Sequence, residues 1–319
     1  MVKKRGGRLV VELDKKNLAD IPVFKIDRIF AFGNVQFTTQ ALTMLLENNI
    51  DVAFFSYYGK YKGKISTDTS PNVFLRVAQF DRWRDNDFRI QFCKSIVEAK
   101  LSNMLAVLKR FNKNHPETDI KDSILSIRHG LENIESGESI NYLRGVEGSS
   151  SGAYFSAFSK MLRQELQFSK RMKRPAPDPV NAMLSLGYVM VTNEIAHNLE
   201  GMAFEPFLGF LHGIKYGRKS LALDMVEEFR QPLVDQFVLK LANLKIFTSD
   251  NFEEIPGKGV YLHDESFKKY LEYYEERMNE IVKTDTGEQI SWRRLIRKQS
   301  EELEKSLMEN TNYQPFLYE

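Results

Sequence analysis

Three polar side chains in the second half of the sequence stand where an ordinary solvated surface does not explain them. Glu147 lies among glycines and serines in LRGVEGSSSGAYFSAF, His212 lies in the apolar segment FEPFLGFLHG, and Glu227 follows in SLALDMVEEFR. Asp224 precedes Glu227 by three residues, so a helix would place both acids on one face. One imidazole with two or three carboxylates is an oxygen-rich ligand set that suits Mg²⁺ or Mn²⁺ better than structural zinc. These residues are therefore candidate metal ligands.

A divalent ion held by such ligands suits chemistry on a phosphodiester. It can polarise the phosphate, bind an attacking hydroxyl and offset charge on the leaving oxygen. Glycine in a helix costs about 1 kcal/mol relative to alanine, and a run that otherwise has helical character is interrupted here by Gly145, Gly148 and Gly152. Small residues around Glu147 would let a bulky sugar-phosphate backbone approach its carboxylate, which is one reason for them to be there.

Each of these residues also has an ordinary structural explanation. A glutamate near glycines is commonly a solvated loop residue, and a histidine in an apolar segment is commonly hydrogen-bonded in the core or at a helix end. Acids near a helix start commonly form salt bridges and favour the helix dipole. The spacing matches no short ligand motif, so the pattern alone leaves both interpretations open.

The secondary-structure elements that must position these residues can be predicted from the spacing of apolar residues, which changes along the chain. Strand-like runs rich in Val, Ile, Phe and Tyr come first, in RLVVEL, VFKIDRIFAF and IDVAFFSYYGKYKGKI, with Gly59 at a hairpin turn. Between them TTQALTMLLENNI predicts a short helix capped by Thr38 or Thr39. After the linker-like STDTSPN, apolar residues recur at helical spacing. We therefore predict an α+β multidomain protein, with a small β-rich domain over residues 1–71 and a larger all-α metal-binding domain over residues 72–319.

Composition limits the class of protein. The 319 residues are 42% apolar and 28% charged with a net charge of +2, so no global positive excess indicates nucleic acid. The single cysteine, Cys93, excludes an intramolecular disulfide and a cysteine-based zinc site, and it fits a reducing compartment. No apolar run approaches the ~18 residues of a membrane span. We expect a soluble cytoplasmic protein with no membrane partner.

Four segments occur in an order that is typical of one family. They are GNVQFTTQALTMLLENNIDVAFFS, GVEGSSSGAYFSAF, DPVNAMLSLGYVMVTNEI and FLGFLHGIKYGRKSLALDMVEEFRQPLVDQFV. Together they resemble the CRISPR-associated Cas1 family of spacer-acquisition integrases and DNA endonucleases, from about Ile21 to Phe316. Members of that family usually carry an extra strand before the segment that matches RLVVEL. Only MVKKRGG stands there, so we expect this strand to be missing or atypical.

The resemblance implies a site, a reaction and partners. It implies an N-terminal β domain that mediates dimerisation, and a helical domain whose catalytic Mg²⁺ or Mn²⁺ ligands are Glu147, His212 and Glu227, with Asp224 as an auxiliary ligand. In the implied reaction, the 3′-hydroxyl of a short protospacer DNA attacks a phosphodiester at a CRISPR repeat. No nucleotide triphosphate is needed, which fits the absence of a G-x-x-x-x-G-K-[ST] loop. The implied partners are double-stranded DNA, a second copy of the chain and the small protein Cas2.

Basic residues near these segments are candidates for contacts with DNA phosphates, which position a duplex without reading its sequence. One run follows the Glu147 segment, a second lies between His212 and Glu227, and a third lies in WRRLIRKQ. Each is also explained by an ordinary solvated helix face. The predicted DNA-binding residues are Arg163, Lys170, Arg171, Lys173, Arg174, Arg218, Lys219, Arg293, Arg294 and Arg297.

Two other functions stay open at this point. The chain could be a non-catalytic DNA-binding scaffold of the adaptation complex, although loss of a ligand would be expected in that case and all three matched positions are intact. It could also be a general metal-dependent nuclease that acts on branched DNA. Sequence does not separate a nuclease from an integrase, because water or a DNA hydroxyl can attack the same phosphate.

Overall fold

The chain divides into two compact units, residues 1–69 and 70–319. The computed structural model describes residues 1–57, 59–67, 72–163, 166–172, 175–284 and 287–318. Strands dominate the first unit and helices the second, which confirms the predicted fold class. Across the described residues, none of the helices is long and apolar enough to cross a membrane.

The first unit contains two small sheets. Strands β1 (Val2–Arg5), β2 (Arg8–Leu13) and β3 (Lys16–Pro22) form an antiparallel sheet in that order, followed by a 3₁₀ turn, Val23–Lys25. Of the two alternatives for this region, a missing strand or an atypical start, the first was wrong, because the residues before RLVVEL form β1. The polar segment KNLADIP forms β3, which the sequence did not predict since neither of its faces is well buried.

The second sheet holds the helix that the sequence predicted. Strand β4 (Arg28–Phe32) pairs in parallel with β5 (Asp51–Phe55), which pairs antiparallel with β6 (Tyr61–Ile65). Helix α1 (Thr39–Glu47) connects β4 to β5, and its predicted cap is confirmed because the Thr38 hydroxyl accepts the Ala41 N–H at 3.3 Å. Gly59, between β5 and β6, has the positive φ of +75° that a tight turn requires.

Helices build most of the second unit. The residues after STDTSPN first form two helices, and the segment DMVEEFRQPLVDQFVLKLAN is broken by a π-helical turn. The helices are α2 (Val73–Arg84), α3 (Asn86–Asn114), α4 (Lys121–Glu132), α5 (Ile140–Met161), α6 (Pro179–Gly201), α7 (Ser220–Val226), the π-helical turn Arg230–Asp235, α8 (Gln236–Asn243), α9 (Asp264–Asn279) and α10 (Trp292–Glu309).

Two hairpins accompany these helices, so the unit is not purely α-helical. A 3₁₀ turn, Ser249–Asn251, leads into β7 (Phe252–Ile255), which pairs with β8 (Gly259–Leu262). Strand β9 (Ile281–Lys283) pairs with β10 (Gln289–Ser291). These strands are three or four residues long, too short for an alternating pattern to show in the sequence.

The glycine-rich segment does not interrupt its helix. Helix α5 runs without a break over 22 residues, and the Ser139 hydroxyl caps it by accepting the Tyr142 N–H at 3.2 Å. Its inner face buries Leu143, Tyr154 and Phe158 among other residues. That burial stabilises a helix whose glycines would otherwise weaken it, because most helical stability comes from packing of the apolar face.

The C-terminal segment is fastened to helix α3 by one buried amide. The Asn103 side chain donates to the carbonyl oxygens of Glu228 at 2.7 Å and Phe316 at 3.0 Å, and accepts the Tyr318 N–H at 2.8 Å. It thereby links α3, the residue after Glu227 and the end of the chain.

We expect Asn103→Ala to lower the free energy of unfolding by about 2–4 kcal/mol, because it leaves two buried carbonyl oxygens and one partly buried N–H without this partner. Denaturant unfolding measures the change. Asn114→Ala, at the exposed end of the same helix, is the matched control and should shift stability by no more than about 0.5 kcal/mol. Equal stability of the two variants would contradict this assignment.

Candidate active site

The three predicted ligands lie around one cavity, although they come from three separate segments. Glu147 lies on α5, His212 lies in the loop that follows α6, and Glu227 caps the C-terminus of α7. The cavity has a volume of about 490 Å³. Its other lining residues are Lys100, Gly148, Ser151, Gly152, Phe155, Ser156, Ser169, Lys170, Arg171, Tyr188, Arg230 and Gln231.

Asp224 fixes the ring of His212. Its fully buried carboxylate accepts the backbone N–H groups of Phe210 and Leu211 on Oδ2, at 2.5 and 3.0 Å. Its Oδ1 lies 2.8 Å from the His212 backbone nitrogen and 2.7 Å from His212 Nδ1. Because a carboxylate only accepts hydrogen bonds, the imidazole proton belongs on Nδ1. The lone pair of Nε2 is then free to bind a cation.

The loop that carries His212 is held from both sides. Arg218 donates to the His212 carbonyl oxygen at 2.6 Å, and Arg144, one turn before Glu147 on α5, donates to the Leu211 carbonyl oxygen at 2.8 Å. Gly209 allows the loop to pass close to α7, since a Cβ there would lie 2.6 Å from the Cβ of Ser220. The position of the imidazole is therefore fixed by packing and by hydrogen bonds.

Glu227 is a buried carboxylate surrounded by positive charge. Its Oε2 lies 2.6 Å from Lys100 Nζ and 3.1 Å from Arg230 Nε, and its Oε1 lies 3.8 Å from His212 Nε2. Burial alone would raise the pKa of Glu227, but Arg230, Lys100 and His212 together lower it to about 2. The side chain is therefore an anion at neutral pH, as a metal ligand must be.

Lys100 connects Glu227 with Glu147. Its ammonium contacts the Oε1 atom of Glu147, which also accepts the Ser151 hydroxyl at 2.8 Å. Burial would lower the pKa of Lys100, but the two glutamates raise it above its ordinary value, so the amine stays charged. Within the described part of the chain, no three His, Cys, Asp or Glu side chains are arranged to hold an ion as they stand. The predicted ligands thus converge without forming a closed coordination shell.

The opposite wall of the cavity is a buried polar network. Tyr188 lies under two guanidinium groups, with Arg230 at 4.7 Å and Arg171 at 5.2 Å from the centre of its ring. Its hydroxyl donates to Asp235, at the end of the π-helical turn. Burial raises the pKa of Asp235 to about 6, although Tyr188 and both arginines favour the ionised form.

This pKa predicts a specific pH dependence of stability. The folded protein keeps the Asp235 proton up to about pH 6, whereas the unfolded chain releases it near 3.8. The free energy of unfolding should therefore fall by about 3 kcal/mol as the pH rises through this window, and change little above it. Asp235→Asn should lack that fall. The measurement is the free energy of unfolding against pH for the wild type and for the variant, and the difference between the two curves. The exposed control Asp250→Asn should keep it, and parallel profiles for wild type and Asp235→Asn would contradict the assignment.

Two of the predicted DNA-binding residues line the cavity, and others are engaged elsewhere. Lys170 and Arg171 lie in its wall. Arg163 contacts Glu117 at 3.2 Å, and Lys219 contacts Glu200 at 2.6 Å. The Arg293 guanidinium contacts both oxygens of Glu275 at 2.7 and 2.8 Å.

The remaining predicted DNA-binding residues lie on exposed surface, in the His212 loop or outside the described chain. Arg294 and Arg297 are exposed on α10, where Arg297 pairs with Glu301 at 3.1 Å. Arg218 supports the His212 loop, as described above. Lys173 and Arg174 lie outside the described residues.

Sequence analysis missed two charged residues of the site. Lys100 stands between Ala99 and Leu101 in a strongly apolar helical stretch, and it is 5% exposed. Arg230, three residues after Glu227, pairs with it at the start of the π-helical turn. A charge inside an apolar helical run was the available signal, since lysine and arginine are almost never buried without a partner.

Comparison with solved structures identifies the class of fold. A structure titled "Casposase bound to integration product" covers 100% of this chain and 92% of its own, with a TM-score of 0.87 and 24% identity. The Cas1 protein of Thermotoga maritima covers 96% and 94%, with a TM-score of 0.82 and 26% identity. A chain of a "Cas6-RT-Cas1–Cas2 complex" covers 98% of this chain and 34% of its own, with a TM-score of 0.83 and 21% identity.

Sequence comparison names the family. A CRISPR-associated endonuclease Cas1 of Thermus thermophilus is 31% identical over 98% of this chain and 93% of its own length. Another, from Methanospirillum hungatei, is 31% identical over 98% and 87%. The family model "CRISPR associated protein Cas1" matches residues 1–276. The chain belongs to the Cas1 family, which confirms the resemblance in the sequence.

Proposed function

We propose that this chain is a metal-dependent integrase and DNA endonuclease of CRISPR adaptation, which inserts short DNA segments into a repeat array. The observation that carries the proposal is the convergence of Glu147, His212 and Glu227 from three segments on one cavity. Membership of a family whose relatives are named endonucleases supports the nuclease chemistry. The fold shared with a casposase bound to an integration product supports the joining reaction.

The donor set fits Mg²⁺ or Mn²⁺. His212 offers its Nε2 nitrogen, Glu227 offers an ionised oxygen 3.8 Å from it, and Glu147 offers a carboxylate from α5. When bound, the ion would activate the attacking oxygen and stabilise charge on the scissile phosphate. We assign Asp224 the role of orienting His212, because both of its oxygens already accept hydrogen bonds in the His212 loop. We propose this role instead of that of an auxiliary ligand, which the resemblance implied.

The chain's own residues would position the DNA. The cavity-lining glycines of α5 leave room for a sugar-phosphate backbone beside Glu147, since a Cβ on Gly148 or Gly152 would meet no atom within 4 Å. Lys170 and Arg171 offer positive charge to phosphates on the adjacent wall. The DNA 3′-oxygen forms a new bond to phosphorus as the bond to the leaving 3′-oxygen of the repeat breaks. One phosphodiester therefore replaces another. The attacking 3′-hydroxyl loses a proton and the leaving 3′-oxygen gains one, so no net proton is released.

The partners follow from the same proposal. Double-stranded DNA supplies both the protospacer and the repeat. The β-rich region, residues 1–71, is the proposed surface for a homodimer, and the small protein Cas2 is the proposed further partner. The fold shared with a chain of a Cas1–Cas2 complex supports this last assignment.

The test follows a labelled duplex with a free 3′-hydroxyl, mixed with the protein, Mn²⁺ and a repeat-bearing plasmid, with and without Cas2. A duplex ending in a 3′-deoxy nucleotide is the matched control. We expect label to join the plasmid from the hydroxyl duplex only. Plasmid nicking that is equal with both duplexes, without joining, would favour a nuclease that acts on branched DNA. DNA binding with neither reaction would indicate a scaffold.

A further inference from the structure

A buried ammonium group occupies the space between two of the proposed metal ligands. Lys100 extends from the middle of α3, and its side chain is 7% exposed. Its Nζ atom lies 2.6 Å from Glu227 Oε2 and forms an even closer ion pair with Glu147 Oε1. These two acids come from different helices, so the lysine holds together the two sides of the cavity.

Charge balance within the protein explains why Lys100 pairs with both glutamates, without any bound DNA. Two carboxylates that face one cavity repel each other, and a buried charge is costly unless an opposite charge neutralises it. Arg230 neutralises Glu227 from one side, at 3.1 Å, but its contact is with Glu227 alone. Lys100 contacts both carboxylates and therefore balances the pair.

The same position is where a divalent ion would have to act. An ion shared by Glu147 and Glu227 would bind the two carboxylates that now pair with the lysine, and a second cation a few ångströms away would be repelled. We propose that Lys100 is an internal cation of the metal-free site, which metal binding displaces. The inference rests on the proposed function, since it takes Glu147 and Glu227 as ligands. It gives Lys100 a positioning role: the residue holds the two carboxylates in place and balances their negative charge until an ion binds.

The consequence is that removal of the lysine charge should favour the ion. In Lys100→Gln the ion no longer competes with an ammonium group, so its dissociation constant should fall by about tenfold or more, the equivalent of one charge-assisted hydrogen bond. The metal-free variant should melt at a lower temperature than the wild type, because the acids lose their shared partner. Added Mn²⁺ should then raise its melting temperature by more than it raises that of the wild type.

The experiment is a titration of the full-length protein with Mn²⁺ alone. Calorimetry and the electron paramagnetic resonance signal of free Mn²⁺ both measure the binding. Lys94→Gln is the matched control, because Lys94 lies on the same helix and donates to the Glu135 carbonyl oxygen at 2.6 Å near the surface. It should leave Mn²⁺ affinity unchanged. Lys100→Arg keeps the charge and should not bind Mn²⁺ more tightly than the wild type.

Each outcome decides between the inference and its alternatives. Tighter binding by Lys100→Gln alone, or folding of that variant only when Mn²⁺ is present, supports displacement. Unchanged or weaker binding by Lys100→Gln overturns it, and so does equally tightened binding by Lys100→Arg, which would show loss of fit instead of loss of charge. Glu227→Gln separates the two proposals. If it binds Mn²⁺ as the wild type does, or if neither binds, the proposed metal site fails and this inference fails with it.

Discussion

Glu147→Gln is expected to slow DNA joining by at least about a hundredfold, more than the loss of an outer-shell partner costs a metal site. The glutamine keeps the shape of the side chain but removes the charge that a divalent ion needs. Glu147 is one-quarter exposed on the cavity side of a continuous helix, so the fold should persist. The initial rate of joined product and the free energy of unfolding are the two measurements.

The matched control for this prediction is Glu135→Gln. Glu135 also pairs with a lysine of α3, with Lys94 Nζ at 3.7 Å, but it is 86% exposed and lies outside the cavity lining. Its variant should join DNA at the wild-type rate. Joining by Glu147→Gln within about threefold of that rate would remove Glu147 from the set of ligands, since a lost ligand costs several times more.

Gly148→Leu is expected to stabilise the protein and yet to reduce joining by at least about tenfold. Leucine is a far better helix former than glycine, by about 0.5–1 kcal/mol, and a Cβ at this position meets no atom of the chain within 4 Å. Its side chain would instead extend into the space beside Glu147, where the DNA backbone is proposed to pass. The free energy of unfolding, measured with denaturant, should therefore rise while the joining rate falls, and Mn²⁺ affinity should stay unchanged.

Gly145→Leu is the control for this variant. Gly145 lies on the same helix with equally open space around it, but it is outside the cavity lining. It should give the same stabilisation with little loss of joining, and Gly148→Ala should fall between wild type and Gly148→Leu. Wild-type joining by Gly148→Leu would mean that the bare face of α5 does not admit the DNA.

Periodicity predicted the elements that bury a clear apolar face. Helices α3 and α6 followed from their long apolar spacing, and α1 from its spacing and its Thr38 cap. Strand β3 was missed because its side chains are mostly exposed. The apparent break at the glycines of α5 was a local effect that burial of Tyr154 and Phe158 on the other face overcomes.

The site could be predicted only in part, for a physical reason. The resemblance assigned Glu147, His212 and Glu227, but their convergence depends on helix packing that no local pattern contains. The pairing of Lys100 with both glutamates joins α3 to two other segments, so it could not be predicted either. A basic run in the sequence does not identify the partners of its charges: Arg218 supports the His212 loop and Arg293 contacts Glu275, and their DNA contacts stay predictions.

One divalent ion is proposed to be shared by Glu147, His212 and Glu227. A crystal of the protein grown with Mn²⁺ tests this proposal, because anomalous scattering locates the metal without reference to activity. We predict a single strong peak within about 2.0–2.4 Å of a carboxylate oxygen of each glutamate and of His212 Nε2. An anomalous peak at another position, or no peak at Mn²⁺ concentrations that support joining, would contradict the proposed metal site.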